Sequence, residues 1–281
     1  MNCWKQFQNG RRPIKLQRKI WDEHIWQRQT VRDLKFKYHK SEKTIRTIID
    51  RVQTRSPQQI KPQSLVAVFD ATHFGDDCLL MARAPSIKTN LGWIWIKQET
   101  KEKYSLLKCN LESRGLVLTA VVLDGRTGIP GVFTGIPIQI CQFHQLQTVK
   151  RKLTLRPETE AGKELLHIAF GLAKSNEQMM ALDLKNWIEK YQTFINEKSY
   201  APNSKRWHHT HKRVRSAYYS LIKNLPNLFT YQKYPELNIP NTTNSLDGYW
   251  SRVKNLLAAH RGKSQARTRK IVTEILRKQT A

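Results

Sequence analysis

The sequence predicts an α/β core that follows a helical N-terminal domain, and three observations carry that prediction. Apolar residues recur with helical periodicity from about Arg18 to Val52. After about Ser64 the pattern changes to short apolar runs of strand length, two of them separated by a helical segment, which favours a mainly parallel sheet. The chain has 49 Lys and Arg against 22 Asp and Glu, a formal net charge of +27. Such an excess favours a polyanionic partner, nucleic acid first, over a plain solvated surface.

The helical N-terminal region divides into two short capped helices. Thr30 can cap the first helix, with Asp33 in the position of a capping box, and Ser41 can cap the second. The segment FKYHK between them predicts a short turn. Two short helices of which the second is basic indicate a helix-turn-helix, with an ordinary helical hairpin as the alternative. The residues that would face the DNA major groove are Glu42, Lys43, Thr44 and Arg46.

A polar, proline-containing segment at 55–64 predicts a linker, and strands follow it. SLVAVFD and GLVLTAVVLDG are apolar runs of strand length, and GWIWIKQE could pair with the segment around LLMARAP. TKEKYSLLKCNLES predicts a helix. The chain is helical again from about Pro157 to Phe229. Its core candidates there are Trp187, Tyr191, Trp207, Tyr218 and Leu221.

Two of the apolar runs end in an aspartate, Asp70 and Asp124. Sites in open α/β sheets form at the carboxyl ends of strands. Neighbouring strands would bring these carboxylates together, where they repel each other unless a cation is present. Mg²⁺ prefers oxygen ligands, so the pair predicts a divalent-cation site. The alternatives are an Asp-Gly turn at Asp124 and a cap of the following segment at Asp70.

Cys141 and His144 stand at a C-x2-H spacing just after the second aspartate. A zinc site would need further ligands, and the nearest source is WHHTH, with His208, His209 and His211. Ligands split in this way are a weak signal, and a core cysteine beside a hydrogen-bonded histidine is the more ordinary interpretation. His144 could equally contact a phosphate or the leaving strand.

The remaining composition predicts an intracellular, cytoplasmic protein. No run of eighteen apolar residues exists, so no transmembrane span is expected. The N-terminus lacks the apolar core of a signal peptide. Four cysteines at scattered spacings do not resemble a disulfide framework.

Several long blocks of the chain resemble bacterial insertion-sequence transposases, in the Mutator-related branch with a variant zinc-binding N-terminus. The resemblance extends in order from about residue 3 to the C-terminus. It implies an RNase H-like mixed-sheet core at 65–281 with an all-α insertion at about 155–235, preceded by the helix-turn-helix at 18–54. The blocks are VFDATHF, AVVLDGRTG, CQFHQLQTVKRKLTLRPETEAGKELL, WHHTHKRVRSAYYSLIKNLPNLFTY and PELNIPNTTNSLDGYWSRVKNLLAAHRG.

The resemblance also implies a reaction and its partners. A catalytic triad falls on Asp70, Asp124 and Asp247, and would hold two Mg²⁺ about 3.5–4 Å apart, for which Mn²⁺ can substitute. The C-x2-H element of the family matches Cys141 and His144. The expected partners are double-stranded DNA, as terminal inverted repeats and target, and a second copy of the chain in a nucleoid-associated homodimer or larger assembly. The basic tail would bind phosphates through Arg252, Lys254, Arg261 and Lys263.

Two departures from the family pattern keep alternatives open. The family has Glu where this chain has Asp247, a shorter side chain. Residues 1–17 resemble only the end of the family's zinc ribbon and retain one cysteine, Cys3, so zinc is not expected. One alternative is a weakened or inactive transposase-derived DNA-binding protein, and another is a nuclease or resolvase that acts on structured DNA. Asp247 could also be a helix cap, although Asn244 and Ser245 can cap as well.

Overall fold

Three helices make up the N-terminal part of the described chain. The computed structural model describes residues 12–56, 59–200, 206–260 and 262–278, with side chains from residue 15 onward. Most of the predicted zinc-ribbon remnant, Cys3 included, lies outside these residues. The first helices are α1 (Arg12–Trp26), α2 (Val31–Tyr38) and α3 (Glu42–Arg51).

The predicted caps of α2 and α3 are confirmed. Thr30 Oγ1 accepts the Asp33 N–H at 3.2 Å, and Asp33 Oδ2 accepts the Thr30 N–H at 2.8 Å, which completes the capping box. Ser41 Oγ accepts the Thr44 N–H at 3.1 Å. The turn is shorter than predicted, because α2 continues through Tyr38 and ends at His39, whose φ of 49° is left-handed.

A five-stranded mixed sheet follows, with strand order β3-β2-β1-β4-β5. Strands β1 and β4, and β4 and β5, pair in parallel, whereas β2 is antiparallel to both of its neighbours. The pattern of apolar runs suggested a mainly parallel sheet, and that is wrong for one half of it, because short turns join β1 to β2 and β2 to β3. The elements are β1 (Gln63–Phe74), β2 (Asp77–Ala84), β3 (Thr89–Ile96), α4 (Lys101–Glu112), β4 (Leu116–Leu123) and β5 (Ile138–Ile140).

The strand directions place four carboxyl ends on one edge of the sheet. Because β2 reverses the direction of β1 and β3 reverses it again, β1, β3, β4 and β5 all run the same way. The aromatic core lies against this sheet, with Phe69 of β1 packing 4.9 Å from Phe133 and 6.2 Å from Tyr104 between ring centroids. That edge is where a site is expected in an α/β protein.

The next region is mostly helical, as predicted, but it is not all-α. The antiparallel hairpin of β6 and β7 interrupts it, pairing Tyr200 with Trp207, two aromatic residues that favour strands. Trp207 is 49% exposed and so is not a core residue, whereas Trp187 is 2% exposed and stacks on Tyr218 at 5.0 Å. The elements are α5 (Gln142–Leu153), α6 (Glu160–Phe170), α7 (Glu177–Asn196), β6 (Lys198–Tyr200), β7 (Trp207–His209), α8 (Lys212–Leu228) and α9 (Thr230–Lys233).

The last helices are α10 (Asn244–Ala258) and α11 (Gln265–Arg277). The chain forms two compact units. The core unit, Lys61–Leu246, holds the sheet; the helical unit holds the residues up to Ile60 together with those from Asp247 onward. The sequence predicted a single catalytic domain from residue 65 to 281, whereas in the structure the segment from Asp247 groups with the N-terminal helices. None of the helices in the described ranges is long and apolar enough to cross a membrane.

Candidate active site and DNA-binding surface

Asp70 and Asp124 lie on neighbouring parallel strands of the core unit. The last parallel pair of β1 and β4 is Val68 with Val122, so both aspartates stand two residues beyond it. Both side chains are half-buried. Strand β1 itself continues to Phe74 in antiparallel pairing with β2, so the prediction that the strand ends at Asp70 is wrong. The parallel ladder does end there, because β4 stops at Leu123.

Asp124 also forms the turn that follows β4. Its Oδ1 accepts the Arg126 N–H at 2.9 Å, and Gly125 has a φ of 82°, which a residue with a side chain rarely adopts. A Cβ at Gly125 would lie 2.9 Å from the side chain of Ile140. The predicted Asp-Gly turn is therefore present, and the metal-binding role of Asp124 stays a prediction. One carboxylate oxygen serves the turn, and Oδ2 lies 3.9 Å from Arg126 Nε.

Glu99 is an acidic residue at the same edge that the sequence reasoning missed. It follows β3, and its side chain is 10% exposed. Its Oε1 lies 3.0 Å from Arg126 Nη2, and its Oε2 accepts the Tyr104 hydroxyl at 3.0 Å. Arg126 thus contacts both Glu99 and Asp124. The sequence GWIWIKQE does show an acidic residue just after an apolar strand. Placing that residue at the same edge as Asp70 also required the finding that β3 runs in the same direction as β1.

The negative charges of these carboxylates raise the pKa values of two nearby side chains, Tyr104 and Cys78. Burial raises the pKa of Tyr104, and the charges of Glu99, Asp124 and Asp70 raise it further. Burial and the Glu99 charge raise the pKa of Cys78 to about 11, with Arg126 opposing them. The charges of three carboxylates thus act on the same buried side chains, and two of them, Glu99 and Asp124, lie close to the Arg126 guanidinium. An excess of negative charge attracts cations.

Cys141 and His144 connect β5 to the segment that precedes α10. The Cys141 N–H donates to the Leu123 carbonyl at 2.7 Å, next to Asp124. Its Sγ accepts the Thr243 N–H at 3.3 Å, and Thr243 Oγ1 lies 3.3 Å from His144 Nδ1. Burial acts to raise the pKa of the Cys141 thiol, but hydrogen bonds with His144 and Thr243 outweigh it and lower that pKa.

The weak alternative of a zinc site that joins this pair to the WHHTH histidines has no support from the contacts of His211. His211 Nε2 lies 2.9 Å from Glu197 Oε2, and its ring stacks on Phe194 at 3.6 Å. Within the described ranges, no three His, Cys, Asp or Glu side chains are grouped so that they could hold a metal ion. The contacts of Cys141 and His144 are instead with Thr243.

Asp247 lies in the first turn of α10 and is the first residue of the helical unit from this part of the chain. Because α10 begins at Asn244, the interpretation of Asp247 as the helix cap is wrong. Its Oδ2 is buried and makes no hydrogen bond within the described residues. The preceding turn belongs to the core unit, where the Gln142 N–H donates to the Asn241 carbonyl at 3.0 Å and the Leu246 N–H donates to the Thr243 carbonyl at 2.7 Å.

The predicted DNA-contacting residues differ in how accessible they are. Lys43, Thr44 and Arg46 are exposed on α3, on the face opposite its buried isoleucines. Arg46 lies 3.8 Å from Glu42 one turn away. The other predicted residues belong to the C-terminal part: Arg252 and Lys254 are exposed on α10, and Arg261 lies outside the described residues.

Lys263 has a structural role that the sequence did not predict. Its Nζ donates to the carbonyls of Leu257 at 3.1 Å and His260 at 2.6 Å, so it caps the end of α10. Burial lowers its pKa.

Comparison of the chain with protein-family models and with curated proteins finds no match to either.

Proposed function

We propose that this chain is a DNA transposase that catalyses metal-dependent cleavage and strand transfer of an insertion sequence. The observation that carries the proposal is the position of Asp70 and Asp124 just beyond the parallel ladder of neighbouring strands. The strand order, with three antiparallel strands followed by two parallel ones, supports an RNase H-like core. The resemblance of the sequence blocks to insertion-sequence transposases supports the same reaction.

Asp70 and Asp124 would offer carboxylate oxygens to a divalent cation at the end of the parallel ladder, and the resemblance adds Asp247 as the third ligand. Carboxylate oxygens are the ligands that Mg²⁺ prefers. Mg²⁺ would be held by Asp70, Asp124 and Asp247, and would supply activation of water or a 3′-hydroxyl and stabilisation of the departing oxygen. The buried Oδ2 of Asp247, which makes no hydrogen bond within the described chain, supports a role in binding a cation.

Other residues of the chain would position these carboxylates and the DNA. Arg126, held by Glu99, can orient Asp124 and contact a phosphate. Cys141 and His144 hold Thr243, four residues before Asp247. The capped helix-turn-helix would recognise the terminal inverted repeats, and the exposed bases of α10 would contact phosphates of the terminal or target DNA. A homodimer or larger assembly is expected from the resemblance.

The proposal is tested by cleavage of DNA that carries the ends of the element, in the presence of Mg²⁺ or Mn²⁺. Asp70→Asn and Asp124→Asn should each reduce cleavage to background while DNA binding is kept, because each removes a charged ligand and leaves the positive surface unchanged. Asp76→Asn is the matched control, since Asp76 is exposed in the turn between β1 and β2. Unchanged cleavage by Asp70→Asn would refute the assignment.

A second candidate is a transposase-derived protein that binds DNA without cleaving it. Asp247 favours it, because Asp is one methylene shorter than the Glu of the resembling family and reaches less far to a metal. The same assay separates the two functions. Specific binding without cleavage in the native chain, together with cleavage in Asp247→Glu, would support the weakened form.

A further inference from the structure

A cavity of about 380 Å³ lies within the helical unit. Its walls come from the end of α1, the beginnings of α2, α3 and α11, and the turn after α10. The volume falls within the range of ordinary ligand sites. The residues that matter for its chemistry are His24, Arg32, Arg46, His260, Lys263 and Arg267.

His260 is the least satisfied polar group in this wall. It is 5% exposed, and neither of its ring nitrogens makes a hydrogen bond of normal geometry with any described residue. Its ring centroid lies 3.9 Å from that of His24, whose Nδ1 donates to the Gln29 carbonyl at 2.7 Å. The backbone of His24 lies near the ring but does not form a hydrogen bond of normal geometry with it. Buried polar groups nearly always have well-formed hydrogen bonds, so at least one free ring nitrogen indicates a ligand.

The charge around the cavity specifies the sign of that ligand. Four cationic side chains line it against one carboxylate, Glu42, which lies 3.8 Å from Arg46. Arg267 is held rigidly, since its Nε and Nη2 donate to the two oxygens of Asp50 at 2.9 and 2.8 Å. Fixed cations, helix N-termini and a histidine N–H together favour a phosphate group over a neutral molecule.

We propose that this cavity binds a backbone phosphate of DNA, to which His260 donates a hydrogen bond. The inference rests on the proposed DNA-binding function. In helix-turn-helix proteins the first helix of the motif crosses the sugar-phosphate backbone while the second enters the major groove. The beginnings of α2 and α3 both line the cavity, so a strand that contacts α3 passes its opening.

The test compares the affinity of the full chain for a short DNA duplex between the native protein and two variants. His260→Leu fills a similar volume without polar atoms, and should weaken binding roughly 10- to 100-fold, the loss expected for one hydrogen bond to a charged acceptor. His260→Gln keeps a donor and should retain most of the affinity. His208→Leu, which removes an exposed histidine of the core unit, should bind like the native chain.

Replacing single phosphates of the duplex by neutral methylphosphonates identifies the contact. One position should weaken binding of the native chain but not of His260→Leu, and an equal effect of every position on both proteins would overturn the inference. A native chain that binds no duplex at all would instead refute the proposed function. Titration with inorganic phosphate, followed by the His260 ring signals in NMR spectra, then decides whether the cavity is a phosphate site: unchanged signals overturn it, and shifted signals support it.

Discussion

At the scale of single residues, the clearest energetic signature is that of the two buried histidines. Burial lowers the pKa of His24, and the charges of Arg267 and Lys263 act in the same direction, against the hydrogen bond to Gln29. Burial, then the charges of His24 and Lys263, lower the pKa of His260 to about 4, with the backbone of His24 opposing. Both imidazoles are therefore neutral at pH 7.

Acidification should destabilise the helical unit. Above pH 6.5 His260 is neutral in the folded and unfolded chains and has no effect. Between pH 6.5 and about 4 the unfolded chain binds a proton that the folded chain does not, so the free energy of unfolding falls by about 3 kcal/mol at most. Below that range both states are protonated and the loss is complete. Hydrogen exchange of the α1 and α3 amides, corrected for intrinsic rates, measures the change.

The control for this prediction is His260→Leu. The variant keeps every carboxylate that contributes to acid unfolding, so the difference between the two proteins isolates the histidine. Its helical unit should lose less stability between pH 7 and pH 4 than the native unit does. Identical pH dependence in both proteins would show that His260 is protonated in the folded state.

At the scale of elements, α11 is joined to the N-terminal helices by charged side chains. Glu274 of α11 is fully buried and accepts the Arg55 N–H at 2.8 Å, and it pairs with the guanidinium groups of Arg18 and Arg55. Lys270 donates to the carbonyls of Ile49 and Asp50 at 2.8 and 2.7 Å, which caps the end of α3. The N-terminal helices α1 and α3 are therefore held in part by residues more than two hundred positions away.

Glu274→Gln should destabilise the helical unit by about 3 kcal/mol, because it removes the fully buried carboxylate with which the partly exposed guanidinium groups of Arg18 and Arg55 pair. Hydrogen exchange of α3 and α11 provides the measurement. We expect the lower end of the loss that is usual when a buried ion pair is broken, because Arg18 and Arg55 keep Asp22 as a partner at 3.1 and 3.0 Å. Glu42→Gln is the matched control: the pair of Glu42 and Arg46 is nearly half exposed, so its loss should cost less than about 1 kcal/mol. Equal effects would contradict the role of Glu274.

The helical unit also shows how far sequence reasoning reaches. The starts of α2 and α3 were predictable because each cap is a hydrogen bond between residues three positions apart: Thr30 with Asp33, and Ser41 with Thr44. The place of Glu274 was not, since nothing in EILRK distinguishes a buried carboxylate from an exposed one. Which acidic side chain becomes buried depends on how segments far apart in the sequence pack together.

The candidate site divides in the same way. Asp70 and Asp124 follow apolar runs, so the rule for α/β sheets identified them. Glu99 required the direction of β3, which depends on two antiparallel turns rather than on local composition. The partner of Cys141 was unpredictable from spacing, because Thr243 lies about a hundred residues away and is not a usual ligand type. That Asp70, Asp124 and Asp247 form a metal-binding triad stays a prediction.

At the scale of the whole molecule, the charge excess is the dominant property. By sequence, the first sixty-four residues carry sixteen Lys and Arg against five acids, and the tail from Tyr249 carries nine against one. These two segments make up most of the helical unit. A DNA partner would release condensed counterions wherever these bases meet phosphates, so binding should depend strongly on salt.

If about six to ten phosphates are contacted, affinity for duplex DNA should fall roughly 10³- to 10⁵-fold between 50 and 200 mM salt. Fluorescence anisotropy over that range gives the slope of log K against log salt. Arg252→Ala should reduce the slope by about 0.9, since one phosphate contact is lost, while Lys185→Ala on α7 should leave it unchanged. A flat response would mean that the positive charge serves something other than DNA. If only Lys185→Ala reduced the slope, the DNA would contact α7 rather than α10.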